Sequence, residues 1–403
     1  MTDKIIKTDE IQLKKETKKE IGLKEEQKPE REKEIGKEIE KEMGKEIEKE
    51  IEMEKEIEKE IGKEKEKDDY PEPKHFSDVN LQLPSTHSDY ENYVQTYGDI
   101  QQYRISHKVG RGRYSDVFVG KNVKTKRIVA IKILKKVKEY KYKRELKVLS
   151  ELVGYPNILQ VETCINNPVT KSPTLITNYV NVTDFRVLYP TFSLNDAKYY
   201  MYQLLKALYW THRNGIMHRD VKPQNVLIDY QKRTLTLVDW GLAEFYFPGK
   251  RYHTNVATRY FKAPELLVGH SQYHYSVDMW AFGCLLAGII FIREPLWQGM
   301  SNEDQLTKII NTLGTSKFEK YLLKYKIKLP SILQQYVPDT KKKSWKKYIN
   351  QANIHLATDN AIDLISKLLV YDPQDRLDVI EAMNHPWFDN IRDEKEIDEN
   401  LKK

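Results

Sequence analysis

One stretch constrains this chain more than any other: His218-Arg219-Asp220-Val221-Lys222-Pro223-Gln224-Asn225, followed fourteen residues after Asn225 by Asp239-Trp240-Gly241. It supplies a carboxylate that can take a proton from a hydroxyl (Asp220), a cation for a phosphate (Lys222) and two oxygen ligands for Mg²⁺ (Asn225 and Asp239). Phosphoryl transfer needs those groups together, because it is catalysed mainly by positioning and charge. The competing reading is a charged surface turn. A turn accounts for H-R-D alone, but not for the joint occurrence of the loop, its internal spacing and the second acid.

The flanking sequence predicts a frame for such a loop. Residues 104–120 alternate around glycines and give way at 127–134 to β-branched Ile128, Val129, Ile131 and Ile133, which reads as consecutive antiparallel strands. A helix is expected over 143–152 and a buried strand over 174–180. After Asp184 the apolar period becomes helical, as at 197–214, 277–292, 302–313 and 361–369. The expected fold class is α+β, a small β-rich lobe joined to a larger α-helical one with a hinge near 178–184.

Two features of the small lobe suit a nucleotide. Gly110-Arg111-Gly112-Arg113-Tyr114-Ser115 lies between two strands, where missing Cβ atoms let backbone N–H groups approach phosphate oxygens. A tight hairpin fits that loop alone equally well. Val117 suits the wall that covers a base. Lys132, ending Val129-Ala130-Ile131-Lys132, presents an ammonium to phosphates, and Glu145 on the next helix is its expected carboxylate partner. Trp240 reads either as a side chain whose indole N–H is tied to a carbonyl or as a large core aromatic. Arg376 is the expected buried partner of Glu265, and Asp278 the expected anchor of the catalytic loop.

Charge is unevenly spread. Residues 1–70 hold 19 Lys/Arg against 25 Asp/Glu, so the other 333 residues are left with 48 against 35, a net +13 within the whole chain's +7. That excess favours an anionic partner. Lys136, Lys138, Lys141 and Arg144, between Lys132 and Glu145, together with Arg259 and Lys262, form the expected rim for a peptide with acidic residues near the accepting hydroxyl; a solvated face is the alternative. Residues 1–69 are Lys/Glu-rich, and from Arg31 to Lys67 they repeat a unit whose apolar members recur every four residues. A coiled-coil seam needs 3.5, so a disordered or fraying helical tail is expected. Residues 70–88, with Pro71, Pro73 and Pro84, read as a linker, and 392–403 as a charged tail. Two cysteines exclude a disulfide framework and suit a reducing compartment; no apolar run is long enough for a membrane helix, and the polar N-terminus lacks a secretion signal.

Over residues 89–391 these motifs resemble the eukaryotic protein-kinase family, and within it the casein kinase 2 catalytic (alpha) subunits. The marks are G-R-G-R-Y-S at 110–115, the Lys-rich run before R-E-L-K-V-L, I-M-H-R-D-V-K-P-Q-N, D-W-G-L-A-E-F-Y at 239–246 and R-Y-F-K-A-P-E-L-L at 259–267. The resemblance implies a bilobal protein-kinase fold and an acidophilic serine/threonine kinase using ATP and Mg²⁺. It implies association with a regulatory beta subunit in a tetramer, residence in nucleus and cytoplasm, and no membrane or direct nucleic-acid partner. It also implies activity without activation-segment phosphorylation, because a preceding segment, here Tyr90-Glu91-Asn92-Tyr93, packs against that loop. Residue by residue, Asp220 becomes the base, Lys132 and Glu145 the phosphate-holding pair, Asn225 and Asp239 the Mg²⁺ ligands, and Lys222 the cation at the transferred phosphate.

The chain departs from that family at Asn255, where the family has an Arg that reads substrate, at Gln224, and around the base. Thr177 stands for a Phe, and Ala130, Leu227 and Val238 replace bulkier residues, so the family's use of GTP is not carried over. The alternatives are a cyclin-dependent or dual-specificity type of kinase, given Thr177, and a non-catalytic scaffold using the basic surface.

Overall fold

The computed structural model describes residues 71–112, 115–135, 138–166 and 173–392. Arg113, Tyr114, Lys136, the Lys/Glu repeat and the residues after 392 lie outside the described residues. In the small lobe, β1 (Tyr103–Arg111), β2 (Ser115–Asn122), β3 (Ile128–Leu134), β4 (Val161–Asn166) and β5 (Pro173–Asn178) form an antiparallel sheet in the order β1-β2-β3-β5-β4. Period-two alternation sends Val129 and Ile131 to one face, where they close a small cluster with Ile165 and Ile176. The other face meets helix α1 (Glu139–Glu151), which buries Leu146, Val148 and Leu149 in the main core.

The large lobe is helical, so the class is the α+β arrangement expected. Helix α2 (Leu194–Arg213) starts at a capping box, with Ser193 and Asp196 each bonding the other's backbone N–H. Helix α3 (Ser276–Ile290) is buried along its whole length, as a helix that is apolar all round must be. Helices α4 (Asn302–Leu313) and α5 (Thr315–Lys324) follow it, and α6 (Asp359–Leu368) packs on it where Gly283 meets Leu368 and Leu369. Two short ribbons, β6 (Ile216–Met217) with β9 (Glu244–Phe245) and β7 (Val226–Asp229) with β8 (Thr234–Leu237), carry the loops that face the small lobe.

The stretch expected to be a linker lies against the large lobe from residue 71 onward. The Asn80 amide donates to the carbonyls of Gly215 (2.7 Å) and Tyr246 (2.8 Å), the Tyr275 hydroxyl donates to the Phe76 carbonyl (2.9 Å), and Lys74 pairs with Glu381 at 2.7 Å. Its prolines set local backbone, but Phe76 and Asn80 find partners some 135 to 199 residues away, which local composition does not reveal.

Beneath the site, Glu265 and Arg376 form a wholly buried bidentate pair at 2.8 and 3.1 Å, and the guanidinium also donates to the carbonyls of Ser276, Val370 and Tyr371. Such a pair is costly to half-remove, because the orphaned charge stays buried. Arg376→Met should cost about 3–5 kcal/mol in urea unfolding, and adding Glu265→Met should recover part of it. A double variant less stable than Arg376→Met would show that neighbouring carbonyls, not the orphaned carboxylate, set the cost.

Candidate active site

The loop at 218–225 is held from below by one acid in the apolar helix. Asp278 accepts the backbone N–H of His218 (2.8 Å) and of Arg219 (2.7 Å), and its Oδ2 lies 3.0 Å from His212 Nε2. Arg219 sits at φ 65°, a conformation a non-glycine residue adopts only where its surroundings over-determine it. Its side chain supplies that determination by donating to the Leu242 carbonyl (2.7 Å) and the Tyr273 hydroxyl (3.0 Å). His218 Nε2 lies 3.1 Å from the Val238 carbonyl, and its Nδ1 accepts from Asp220 N–H at 3.2 Å. Burial pushes its pKa down, which keeps the ring in the neutral form those two bonds require.

Three sequence-predicted groups, Asp220, Lys222 and Asn225, come together. Asp220 Oδ2 accepts from Lys222 Nζ (2.6 Å) and from the Asn225 amide (3.1 Å), which also donates to the Asp220 carbonyl (2.9 Å). The amide N is thereby committed, and the carbonyl oxygen of Asn225 is left for a metal. Asp220 Oδ1 accepts from the Thr258 backbone N–H (3.0 Å) and hydroxyl (2.9 Å), and Lys222 also reaches that hydroxyl at 2.8 Å. Thr258, 38 residues downstream, was not singled out from sequence. Its nearest signal is its position five residues before Ala263-Pro264-Glu265.

Across the cleft, Lys132 Nζ bridges Glu145 Oε1 (2.7 Å) and Asp239 Oδ1 (2.9 Å). Burial opposes the ammonium, but the two carboxylates outweigh it and hold Lys132 above the ordinary lysine range. Lys132 in turn holds the half-exposed Asp239 carboxyl below its ordinary value. Asp239 is left-handed (φ 63°), and its Oδ2 has no hydrogen-bond partner among the described residues. Of the two readings of Trp240, the core aromatic is the one observed: the ring is fully buried edge-on to His218, and its indole N–H has no partner among the described residues.

The glycine hairpin sits above. Gly112 N–H donates to the Ser115 carbonyl (2.8 Å), Lys135 donates to the Gly112 carbonyl (2.7 Å), and Asp116 is paired with Lys108 at 3.0 Å. Gly110 pairs with Val117 and Val117 with Lys132, while Ala130 lies opposite Thr177 in the next strand pair. Thr177 is buried; Ala130, Val117, Leu227 and Val238 are half-buried, the last two on the β7–β8 ribbon and just past it.

The expected basic rim is only partly available. Arg144 is closed on Glu244 at 2.6 Å with both side chains nearly buried, and Arg219 lies 3.6 Å from the same carboxylate. Arg144 is therefore a structural cation: it sits at the start of the stretch of α1 where Glu145, Leu146 and Val148 are buried, and its charge is spent inside the protein. Lys262 is buried and donates to Asn255 Oδ1 (3.2 Å); burial and nearby Arg259 push its pKa down to about 8. Arg259 and Lys138 are exposed and Lys141 half-exposed, with Arg259 donating to the Met300 carbonyl at 2.7 Å.

Residues 103–388 match the protein kinase domain family, which is well over half of the chain. The chain belongs to the protein kinase family. It is accordingly a phosphotransferase that uses ATP and a divalent metal, usually Mg²⁺. The donor set fits such an ion: Asn225 and Asp239 each offer a hard oxygen, few enough to leave coordination positions for phosphates and water, as Mg²⁺ prefers.

In this kinase Asp220→Asn should lower kcat by about 10²–10⁴-fold, the usual contribution of a proton acceptor. Thr258→Val should lower it by about tenfold, the worth of one hydrogen bond to a charged group. Steady-state assays with fixed peptide check both; an unchanged kcat for Thr258→Val would make its hydroxyl merely incidental. Glu244 gives a pH test. Burial raises its pKa, but Arg144 and Arg219 outweigh this and hold it below the ordinary 4.5. A depressed carboxylate stabilises the fold above its unfolded pKa and loses that contribution as pH falls through the folded value. The stability gap between the natural protein and Glu244→Gln should be full at neutral pH and shrink below about pH 4.5.

Proposed function

We propose that this kinase phosphorylates serine and threonine in acidic sequence contexts and is of the casein kinase 2 alpha type. The observation that carries the catalytic part is the convergence of Lys222, Asn225 and Thr258 on the Asp220 carboxylate, opposite a closed Lys132–Glu145 pair. Asp220 takes the proton of the acceptor hydroxyl as its oxygen bonds to the γ-phosphorus, and the bond from phosphorus to the β–γ bridging oxygen breaks to leave ADP. Lys222, beside Asp220, faces the transferred group, and Lys132 holds the α and β phosphates. The metal, when bound through Asn225 and Asp239, offsets charge on the phosphate oxygens. Positioning and charge supply most of the acceleration.

Acid preference is supported by the excess of positive charge in residues 71–403 and by exposed Lys138 and Arg259 and half-exposed Lys141 near the cleft. Activity without phosphorylation of the activation segment is supported by Glu244, a built-in carboxylate that ties α1, through Arg144, to the catalytic loop, through Arg219. The preceding segment adds to this. Lys143 donates to the Glu91 carbonyl (3.0 Å), Lys147 lies over the Tyr93 ring, and the His87 ring meets Phe245 edge-on. The same resemblance extends the proposal to a regulatory beta subunit and to residence in nucleus and cytoplasm.

A peptide library with ATP and GTP compared tests the reading. Phosphatase-treated protein should label Ser/Thr peptides with acidic flanks. Lys138→Ala/Lys141→Ala/Arg259→Ala should raise KM for acidic peptides by about tenfold, as expected for losing a few partly exposed charge pairs, while neutral peptides change little. Equal loss on both classes, or a preference for proline after the target, would overturn the acidic assignment.

A further inference from the structure

A second basic surface lies away from the cleft. Between Asp339 and Tyr348 the chain reads D-T-K-K-K-S-W-K-K-Y, with Lys341, Lys342, Lys343, Lys346 and Lys347 all exposed. They are built onto the lobe. Thr315 N–H donates to the Thr340 carbonyl (3.0 Å), Thr340 N–H donates to the Thr315 hydroxyl (2.9 Å), and Lys343 N–H donates to the Thr312 carbonyl (2.9 Å). Trp345 is buried between them, its ring packed near Phe291, Trp297 and Tyr348. Ser344 caps the short turn that follows. The backbone under the lysines is therefore fixed by the core, and their charges are held together.

Little on the protein offsets those charges. Lys346 reaches Asp359 at only 3.8 Å, with both side chains largely exposed. Lys341, Lys342, Lys343, Lys347 and Lys317 on α5 have no salt bridge among the described residues. The charge on Lys342 is disfavoured by partial burial and, in addition, by nearby Lys317. Holding like charges together without counter-ions costs free energy that an anionic partner would relieve.

Helix α4 relates this surface to the acceptor side. Its N-terminal end follows Met300, whose carbonyl is bonded by Arg259, and its C-terminal end carries the Thr312 carbonyl that accepts from Lys343. Twelve residues of helix are about 18 Å long. An extended peptide covers that in roughly six residues.

We propose that Lys341, Lys342, Lys343, Lys346 and Lys347, with Lys317, are a remote docking surface for an acidic stretch of the protein substrate, roughly six or more residues from the phosphorylated hydroxyl. The inference rests on the acidic-substrate reading above. An acidic polypeptide suits this surface better than a nucleic acid. The cations are lysines, point charges without the planar fork of arginine, and Trp345, the ring in their midst, is turned into the core and offers bases no stacking platform.

The test uses the full chain and two peptides that each hold a single serine and no threonine, one ending just after it and one continuing through a Gly/Ala spacer into six glutamates. The longer peptide should have a KM about tenfold lower at low salt, with equal kcat, and the advantage should fade as salt rises. Replacing the five loop lysines by Gln should abolish the advantage and leave the short peptide unchanged, whereas replacing them by Arg should keep it. A labelled Glu-rich peptide without Ser or Thr, followed by anisotropy, reads the surface without phosphotransfer and should bind in a lysine-dependent way. The proposal is overturned if the tethered tract confers no advantage, if the Gln variant loses equally on both peptides, or if a labelled oligonucleotide shows the lysine-dependent binding and the Glu-rich peptide does not. If short acidic peptides fare no better than neutral ones, the acid preference at the cleft falls, while the tethered comparison still decides the docking surface.

Discussion

The Asp278 carboxylate is the interaction on which the site depends. It is the acid of an otherwise apolar helix, 1% exposed, and its oxygens take the N–H groups of His218 and Arg219. Buried backbone donors have to be paired, and here the loop's own turns cannot pair them because Arg219 is left-handed. The carboxylate thus fixes the backbone two residues before Asp220. Everything that Asp220 touches, from Lys222 to Thr258, is arranged around a main chain already placed by the core of the large lobe.

A second carboxylate ties in the elements that Asp278 does not reach. Glu244 lies on β9, within the segment that runs from Asp239 to Glu265, and its partners come from α1 and from the catalytic loop. Desolvation of a lone acid at that depth would be prohibitive, so the carboxylate is stable only when both guanidiniums are near. Its ionised state and the assembled site are therefore favoured together. This is why Arg144 belongs to the frame, although it sits in a run of cations that reads as one surface.

What was legible in the sequence was mostly local. The loop at 218–225, Asp239 and Lys132 with Glu145 were visible because each rests on short spacings within one turn or between adjacent elements. Helix α4 was found with its observed ends because Ser301 and Gly314 bracket an amphipathic period. Arg376 and Asp278 were found because a buried ion needs a partner. Thr258 was missed because its tie to Asp220 crosses 38 residues. Trp240 could not be decided because a buried indole and a bonded indole have the same sequence. The role of residues 71–88 was hidden for a related reason: prolines describe the chain's stiffness and not where it lands.

The two lobes are not equally self-sufficient, and the chemistry sits where they join. On one face of the five-stranded sheet the fully buried apolar residues are few, Val129, Ile131, Ile165 and Ile176. On the other face Leu134, Cys164 and Leu175 join Leu146 and Leu149 of α1 in the core that runs on into the large lobe. The sheet therefore owes much of its burial to α1, and α1 carries Glu145. A shift of that helix that opened the Lys132–Glu145 pair would also expose apolar surface and strand Arg144 away from Glu244. Hydrophobic burial, which is not directional, and two ion pairs, which are, then favour the same helix position. Lys132, the lysine proposed to hold the phosphates, is kept in place by the same docking that holds the small lobe together.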